Sequence, residues 1–125
     1  MKKIILFLLV HLFFVGCKSQ ENENYKVLSY DNFKSEISQS NVIVLDVRTA
    51  DEYQEGHVSG AINIDVQSDD FDQKVQLLNK ENPVYIYCRS GKRSQKAGAI
   101  LQNLGFTKIY DLEGGILSWQ GELEK

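Results

Sequence analysis

PVYIYCRSGKRSQKAGAILQNLG, which spans Pro83–Gly105, predicts a strand, a tight loop and a helix in direct succession. The β-branched and aromatic run Val84–Tyr87 indicates the strand, and apolar residues at helical spacing after Ser94 indicate the helix. Cys88 is then expected at the carboxyl end of the strand, where the loop begins. Backbone N–H groups in such a loop and the positive end of the helix dipole favour an anion. The sequence therefore predicts an anion site beside Cys88.

This stretch is also the most basic part of an acidic protein, whose formal net charge is −3. Between Asn82 and Tyr110 there is no Asp or Glu, but there are five cations: Arg89, Lys92, Arg93, Lys96 and Lys108. Because a helix N-terminus and nearby cations lower the pKa of a thiol, we expect the first anion of the site to be the Cys88 thiolate. The alternative is a buried core thiol beside a solvated helix face, which is the usual state of a free cysteine. A core cysteine, however, does not need a basic loop that contains glycine.

Strand and helix patterns alternate along residues 25–125. The other predicted strands are Tyr25–Leu28, Asn41–Val47, Ala61–Ile64 and Thr107–Leu112. The other predicted helices follow Ser29, cover Thr49–Glu55, contain Phe71, Val75 and Leu78, and run from Ile116 to Gln120. This order predicts an α/β fold, with an open, mainly parallel sheet flanked by helices on both faces. Ligands of such sheets bind at the carboxyl ends of the strands, where Cys88 is expected.

The N-terminus predicts export. Lys2 and Lys3 precede the run Ile4–Val15, which is apolar at eleven of its twelve positions, so residues 1–16 are expected to be a signal peptide. The run is shorter than the ~20 residues of a transmembrane helix. Phe14–Cys17 resembles the lipobox of bacterial lipoproteins, with Phe14 where Leu is usual. The resemblance implies a lipid on Cys17. Residues 17–24 are then expected to be a flexible tether, and the domain at 25–125 is expected to be anchored on the extracytoplasmic (periplasmic or cell-surface) side of a membrane.

These predictions restrict the chemistry. With Cys17 acylated, Cys88 is the only thiol, so neither an internal disulfide nor a dithiol redox cycle is expected. Two cysteines and two histidines, with His11 inside the predicted signal peptide, do not make a metal-ligand cluster, and no metal or cofactor is predicted. Removal of Lys2 and Lys3 takes the formal charge from −3 to −5, which argues against a nucleic-acid partner.

Four motifs, in order, resemble the single-domain rhodanese family over Lys26–Trp119. They are LDVR (Leu45–Arg48) followed by Glu52-Tyr53, GHVSGAINI (Gly56–Ile64), YCRSGKRS (Tyr87–Ser94) and LEGGILSW (Leu112–Trp119). The resemblance implies the rhodanese fold and a sulfane-sulfur donor such as thiosulfate. It implies that Cys88 forms the persulfide and that the substrate-binding loop is Arg89, Ser90, Gly91, Lys92 and Arg93. Signature positions with a supporting role are Asp46, Arg48, His57 and Ser94.

The implied reaction has two steps. The Cys88 thiolate takes the outer sulfur of thiosulfate and releases sulfite, and a second nucleophile, cyanide or a thiol, then removes the sulfur. Such covalent catalysis needs a low-pKa thiol and support for an anionic intermediate. We expect Arg93, and secondarily Arg89 and Lys92, to bind the sulfonate end of the donor.

Two other functions share this architecture. Cysteine-dependent phosphatases, some on a rhodanese-like fold, have five residues between Cys and Arg and usually a His before the Cys. Cys88 and Arg93 enclose four residues and Tyr87 precedes Cys88, so the loop is narrower than a phosphoryl group requires. Other rhodanese-like domains are regulatory, docking or sulfur-carrier modules that depend on an acceptor protein. Many of those lack the loop cysteine, which this chain has.

Overall fold

The computed structural model describes residues 22–125. The predicted signal peptide and Cys17 lie outside the described residues. Of the predicted tether, residues 22–24 are described: the Asn22 amide donates to Gln102 Oε1 at 2.7 Å, and the Asn24 carbonyl accepts from the Ile109 N–H. Among the described residues, no helix is both long and apolar enough to cross a membrane.

Five parallel strands form one sheet with helices between them. In chain order the elements are β1 (Tyr25–Leu28), α1 (Tyr30–Ile37), β2 (Ile43–Asp46), α2 (Ala50–Glu55), β3 (Ile62–Asn63), α3 (Phe71–Val75), β4 (Val84–Tyr87), α4 (Lys92–Asn103) and β5 (Ile109–Leu112). The strand order is β1-β5-β4-β2-β3, with every neighbouring pair parallel. The predicted α/β fold is therefore confirmed. Because β4 is the central strand, Cys88 lies in the middle of the carboxyl edge of the sheet.

Apolar residues cover both faces of the sheet. One core cluster packs α3 and α4 against the sheet and includes Phe71, Leu101 and Cys88. The other lies on the opposite face, where Phe33 of α1 packs beside Tyr85. All four residues of β4 are buried, as expected for a central parallel strand that is covered on both sides.

Local signals at helix starts agree with the structure. Ser29 caps α1 by accepting a hydrogen bond from the Asn32 N–H. Thr49 caps α2 in a complete capping box with Glu52. The predicted helix with Phe71, Val75 and Leu78 ends at Val75, and the Leu78 N–H bonds to the Val75 carbonyl in a tighter turn.

The end of the chain differs from the prediction. Instead of a helix from Ile116 to Gln120, there is one 3₁₀ turn at Gly115–Ser118, and Trp119 is extended. The Ser118 hydroxyl donates to the Gly115 carbonyl, which an α-helical Trp119 N–H would need, and that N–H bonds instead to the Ile116 carbonyl at 3₁₀ spacing. Trp119 still packs inward, edge-on to Tyr30 with ring centroids 5.1 Å apart.

Candidate active site

Cys88 is the first residue after β4, and its side chain lies under the loop that leads to α4. Its residue surface is 1% exposed. The Gly91 N–H donates to Cys88 Sγ at 3.0 Å, and Ser94 Oγ lies 3.5 Å from the sulfur. Gly91 has a left-handed backbone, with φ of 104°, which turns its N–H towards the sulfur. The helix begins at Lys92, two residues earlier than predicted, so its first turn borders the site.

The pKa of the Cys88 thiol is lowered by hydrogen bonds. Burial raises this pKa, but the Ser94 hydroxyl and the N–H groups of Ser94, Gly91 and Ser90 together outweigh burial. The alternative of a core thiol is correct about burial, because Cys88 belongs to the core cluster that packs α3 and α4 against the sheet. Its sulfur nevertheless faces polar donors. The thiolate is therefore stabilised mainly by these hydrogen-bond donors, and not by the basic side chains that the sequence analysis emphasised.

Arg93 forms an ion pair with Glu52. Its two terminal guanidinium nitrogens donate to the two carboxylate oxygens of Glu52, at 2.6 and 2.9 Å. By contrast, the side chains of Arg89 and Lys92 are exposed and make no ion pair within residues 22–125. The loop therefore offers two solvent-facing cations, while the third holds the loop against α2.

Glu52 is a site residue to which sequence reasoning assigned no role. The hydrogen bond from Arg93 lowers the pKa of Glu52 to about 2, against the opposing effect of partial burial. The same carboxylate accepts from the N–H and hydroxyl of Thr49 in the capping box. The Thr49-x-x-Glu52 spacing could have identified the cap, but no local signal identifies its partner 41 residues away.

Asp46 and Arg48 form a buried ion pair at the end of β2. Arg48 Nη2 donates to Asp46 Oδ2 at 2.7 Å and to the Gly56 carbonyl at 2.7 Å. The Arg48 guanidinium also lies over the ring of Tyr87, 5.6 Å from its centroid. These contacts join β2, β4 and the end of α2, which is an architectural role.

His57 lies among groups other than the Cys88 loop. Its Nδ1 is 2.9 Å from the Tyr53 carbonyl, and its ring stacks on Tyr53 at 3.7 Å between centroids. Its backbone pairs with Glu124, whose carboxylate is 3.8 Å from Nε2. Through these contacts His57 holds the C-terminal segment beside α2.

The loop after β5 holds the cysteine loop in place through backbone hydrogen bonds, and we call this contact the clamp. The Ile116 N–H donates to the Cys88 carbonyl at 2.9 Å, and the Leu117 N–H to the Arg89 carbonyl at 3.2 Å. A Cβ on Gly115 would lie 2.4 Å from the Arg89 carbonyl oxygen, and Gly115 has φ of 64°. Only glycine fits this close approach, so the Gly-Gly motif after β5 positions the cysteine loop.

A solvent-open cavity of about 330 Å³ lies beside the loop. Its polar lining includes Ser90, Lys92, Asp111 and Glu113. Within residues 22–125, no three His, Cys, Asp or Glu side chains are grouped as metal ligands.

The chain is similar to several known proteins. The uncharacterized protein YqhL of Bacillus subtilis (strain 168) is 29% identical over 121 residues, which cover 97% of this chain and 93% of YqhL. The putative sulfur carrier protein YrkF of the same organism is 31% identical over 87% of this chain, which spans 59% of YrkF. The crystal structure of a rhodanese-related protein from Thermoplasma volcanium is 32% identical, with a TM-score of 0.67 over 76% of this chain and 90% of that one.

The family model described as "Rhodanese-like domain" matches residues 29–122, which include every element from α1 to the 3₁₀ turn. The chain belongs to the rhodanese-like domain family.

Proposed function

We propose that this chain is a sulfurtransferase that carries a sulfane sulfur as a persulfide on Cys88. In the first step the Cys88 thiolate attacks the outer sulfur of thiosulfate or a related donor. The S–S bond of the donor breaks, and sulfite leaves with the bonding electron pair. In the second step cyanide or a thiolate attacks the outer persulfide sulfur, and Cys88 leaves as a thiolate.

The observation that carries the proposal is the hydrogen-bonded position of the Cys88 sulfur. The Gly91 N–H lies 3.0 Å from Sγ, and donors around the loop lower the pKa of the thiol. These donors favour what covalent catalysis needs, a thiol that ionises more readily and support for an anionic intermediate. A persulfide anion would occupy the same ring of N–H groups.

The charge distribution supports an anionic donor. Arg89 and Lys92 are exposed at the loop, so we assign the sulfonate contact primarily to them. Arg93 adds positive charge near Cys88, but its terminal nitrogens are engaged by Glu52. The sequence analysis expected Arg93 to be the main sulfonate contact, so this proposal reverses that order.

A second candidate function is a sulfur carrier whose acceptor is a partner protein. Two observations favour it: the similarity to YrkF, named as a putative sulfur carrier, and an exposed apolar residue at the site. Leu117 is 64% exposed, and its N–H is bonded to the Arg89 carbonyl at the edge of the loop. A protein acceptor could contact this leucine, whereas cyanide would not need it.

Steady-state transfer assays test both functions. We expect the native chain to form thiocyanate from thiosulfate and cyanide, Cys88→Ser to form none, and the control Cys17→Ser to retain activity. Persulfide formation without turnover by cyanide or small thiols would favour the carrier. Transfer that persists in Cys88→Ser, or phosphate-ester hydrolysis that depends on Cys88, would overturn the proposal.

We also propose that the domain is exported and anchored by a lipid on Cys17. The basic start, the apolar run Ile4–Val15 and the Gly16-Cys17 pair support this. Expressed in a bacterium with a labelled fatty acid, the native chain should carry the label and sediment with membranes, and Cys17→Ser should do neither. An unlabelled native chain would contradict the anchor.

A further inference from the structure

The cavity beside the cysteine loop, with a volume of about 330 Å³, has no part in the reaction as described. Its walls come from the carboxyl ends of β1 and β5, the cysteine loop and the first turn of α4. Gly91 lines the cavity, and its N–H donates to Cys88 Sγ at 3.0 Å. The cavity is therefore next to the reactive sulfur, with Gly91 in contact with both.

The side chain of Asp111 points towards α4, on the side of the sheet where this cavity lies. Asp111 of β5 pairs in register with Val27 of β1. Two residues earlier in the same strands, Tyr25 and Ile109 pack in the core cluster between the sheet and α4. Because side chains two apart in a strand share a face, Val27 and Asp111 point to that side as well, and both line the cavity.

The Asp111 carboxyl has one oxygen without a partner. Asp111 is 2% exposed, and its Oδ2 accepts a hydrogen bond from the Tyr25 hydroxyl. Its Oδ1 is buried and has no hydrogen-bond partner among residues 22–125. Such an atom is uncommon in a folded protein and calls for a reason. A ligand that brings an N–H donor into the cavity would supply the missing partner.

The charges of the cavity wall favour a cationic ligand group. Lys92 and Glu113 also line the cavity, and within the described part of the chain neither side chain makes an ion pair. Two carboxyls and one ammonium group therefore line the cavity without neutralising one another. Burial raises the pKa of Asp111 to about 6, so this carboxyl is charged at pH 8. Val27, 54% exposed, adds an apolar contact for a short carbon chain.

We propose that this cavity binds the ammonium group of a small aminothiol, which accepts the sulfur from Cys88, an inference that rests on the proposed function. The ammonium group donates to Asp111 Oδ1, and the thiol lies at the Gly91 edge of the cysteine loop. The acceptor thiolate forms a bond to the outer sulfur of the Cys88 persulfide. The S–S bond to Cys88 breaks, and its electron pair stays on Cys88. The acceptor leaves as its own persulfide, so no oxidant or reductant is required.

Discharge of a preformed Cys88 persulfide tests this subsite at pH 8, with cysteamine and 2-mercaptoethanol as acceptors. These thiols differ by an ammonium group in place of a hydroxyl. Their intrinsic reactivities are the same for every variant, so changes in the ratio of their rate constants report on the protein. Asp111→Asn should lower the cysteamine-to-mercaptoethanol ratio about tenfold, because a hydrogen bond between charged groups is lost. Gln95→Phe fills the cavity from an exposed position of α4 and should also lower the ratio.

Asp31→Asn is the matched control, since it makes the same chemical change at an exposed carboxylate of α1, on the opposite face of the sheet. Its ratio should equal the native one. An Asp111→Asn ratio equal to the native one would overturn the proposal, and so would an equal fall in Asp31→Asn. If Asp111→Asn does not fold, the Gln95→Phe ratio decides.

Binding of 2-aminoethanol, which has no thiol, separates the subsite from sulfur transfer. In a titration followed by nuclear magnetic resonance, the backbone N–H signals of Val27 and Glu113 should shift and saturate in the native chain and should not shift in Asp111→Asn. A native chain without such shifts would overturn the subsite, even if it transfers sulfur. Saturable shifts in a chain that forms no persulfide would contradict the proposed function and support the ammonium site.

Discussion

Arg93 donates through both terminal guanidinium nitrogens to the carboxylate of Glu52, which ties the first turn of α4 to the first turn of α2. The two side chains are 22% and 27% exposed, so the pair is partly shielded from solvent. The last residue of the cysteine loop is thereby fixed by an element that lies 41 residues earlier in the chain.

Glu52→Gln should lower the free energy of unfolding at pH 7 by about 1 kcal/mol. Glutamine keeps the capping box, so the loss reports on the ion pair. Because the folded pKa of Glu52, about 2, is below its usual 4.5, its contribution is present above pH 4.5 and is lost as the pH falls towards 2. Urea unfolding at several pH values should show the two proteins converge in acid. A constant difference from pH 7 to pH 2 would contradict this.

The exposed cations should act on donor binding. Arg89→Gln combined with Lys92→Gln should raise KM for thiosulfate about fivefold, with little change in kcat, since each exposed charge contributes on the order of 1 kcal/mol at most. The effect should fade at high salt. Lys108→Gln is the control, because Lys108 precedes β5 at the opposite edge of the sheet. A KM that does not change in the double variant would exclude these cations from donor binding.

Gly115→Ala should disrupt the clamp on the cysteine loop. The added Cβ would meet the Arg89 carbonyl at 2.4 Å, in a left-handed backbone, and should cost more than about 2 kcal/mol of stability and most of the transfer activity. Gly60→Ala is the matched control, because Gly60 also has positive φ but its Cβ would meet nothing within 4 Å. It should cost about 1 kcal/mol and spare activity. Equal effects in thermal unfolding and assay would contradict the clamp.

Ser94→Ala should raise the pKa of Cys88, because the Ser94 hydroxyl is the leading group that opposes the effect of burial. The alkylation rate of Cys88 plotted against pH should move to higher pH, and transfer at neutral pH should fall. Ser118→Ala removes a hydroxyl that bonds to the Gly115 carbonyl and should leave the profile in place. A Ser94→Ala profile identical to the native one would show that the backbone N–H groups suffice.

Local patterns were enough to predict the fold and the position of the nucleophile. The apolar run before Cys88 and the helical spacing after it specify strand and helix, and parallel topology then puts the cysteine at the carboxyl edge. The pairs Glu52–Arg93 and Tyr25–Asp111 could not be predicted in this way, because their partners are 41 and 86 residues apart and meet only when the sheet forms. The helix predicted after β5 was wrong for a similar reason, since Trp119 is extended and packs against Tyr30 of α1, a contact that forms only in the folded chain.

The central claim is that Cys88 holds a transferable sulfur atom, and intact-mass analysis after thiosulfate exposure tests it most directly. The native domain should gain the mass of one sulfur atom, lose it again on treatment with cyanide, and show no gain when Cys88 is replaced by serine. A native protein whose mass does not change, or an equal gain in Cys88→Ser, would contradict the account.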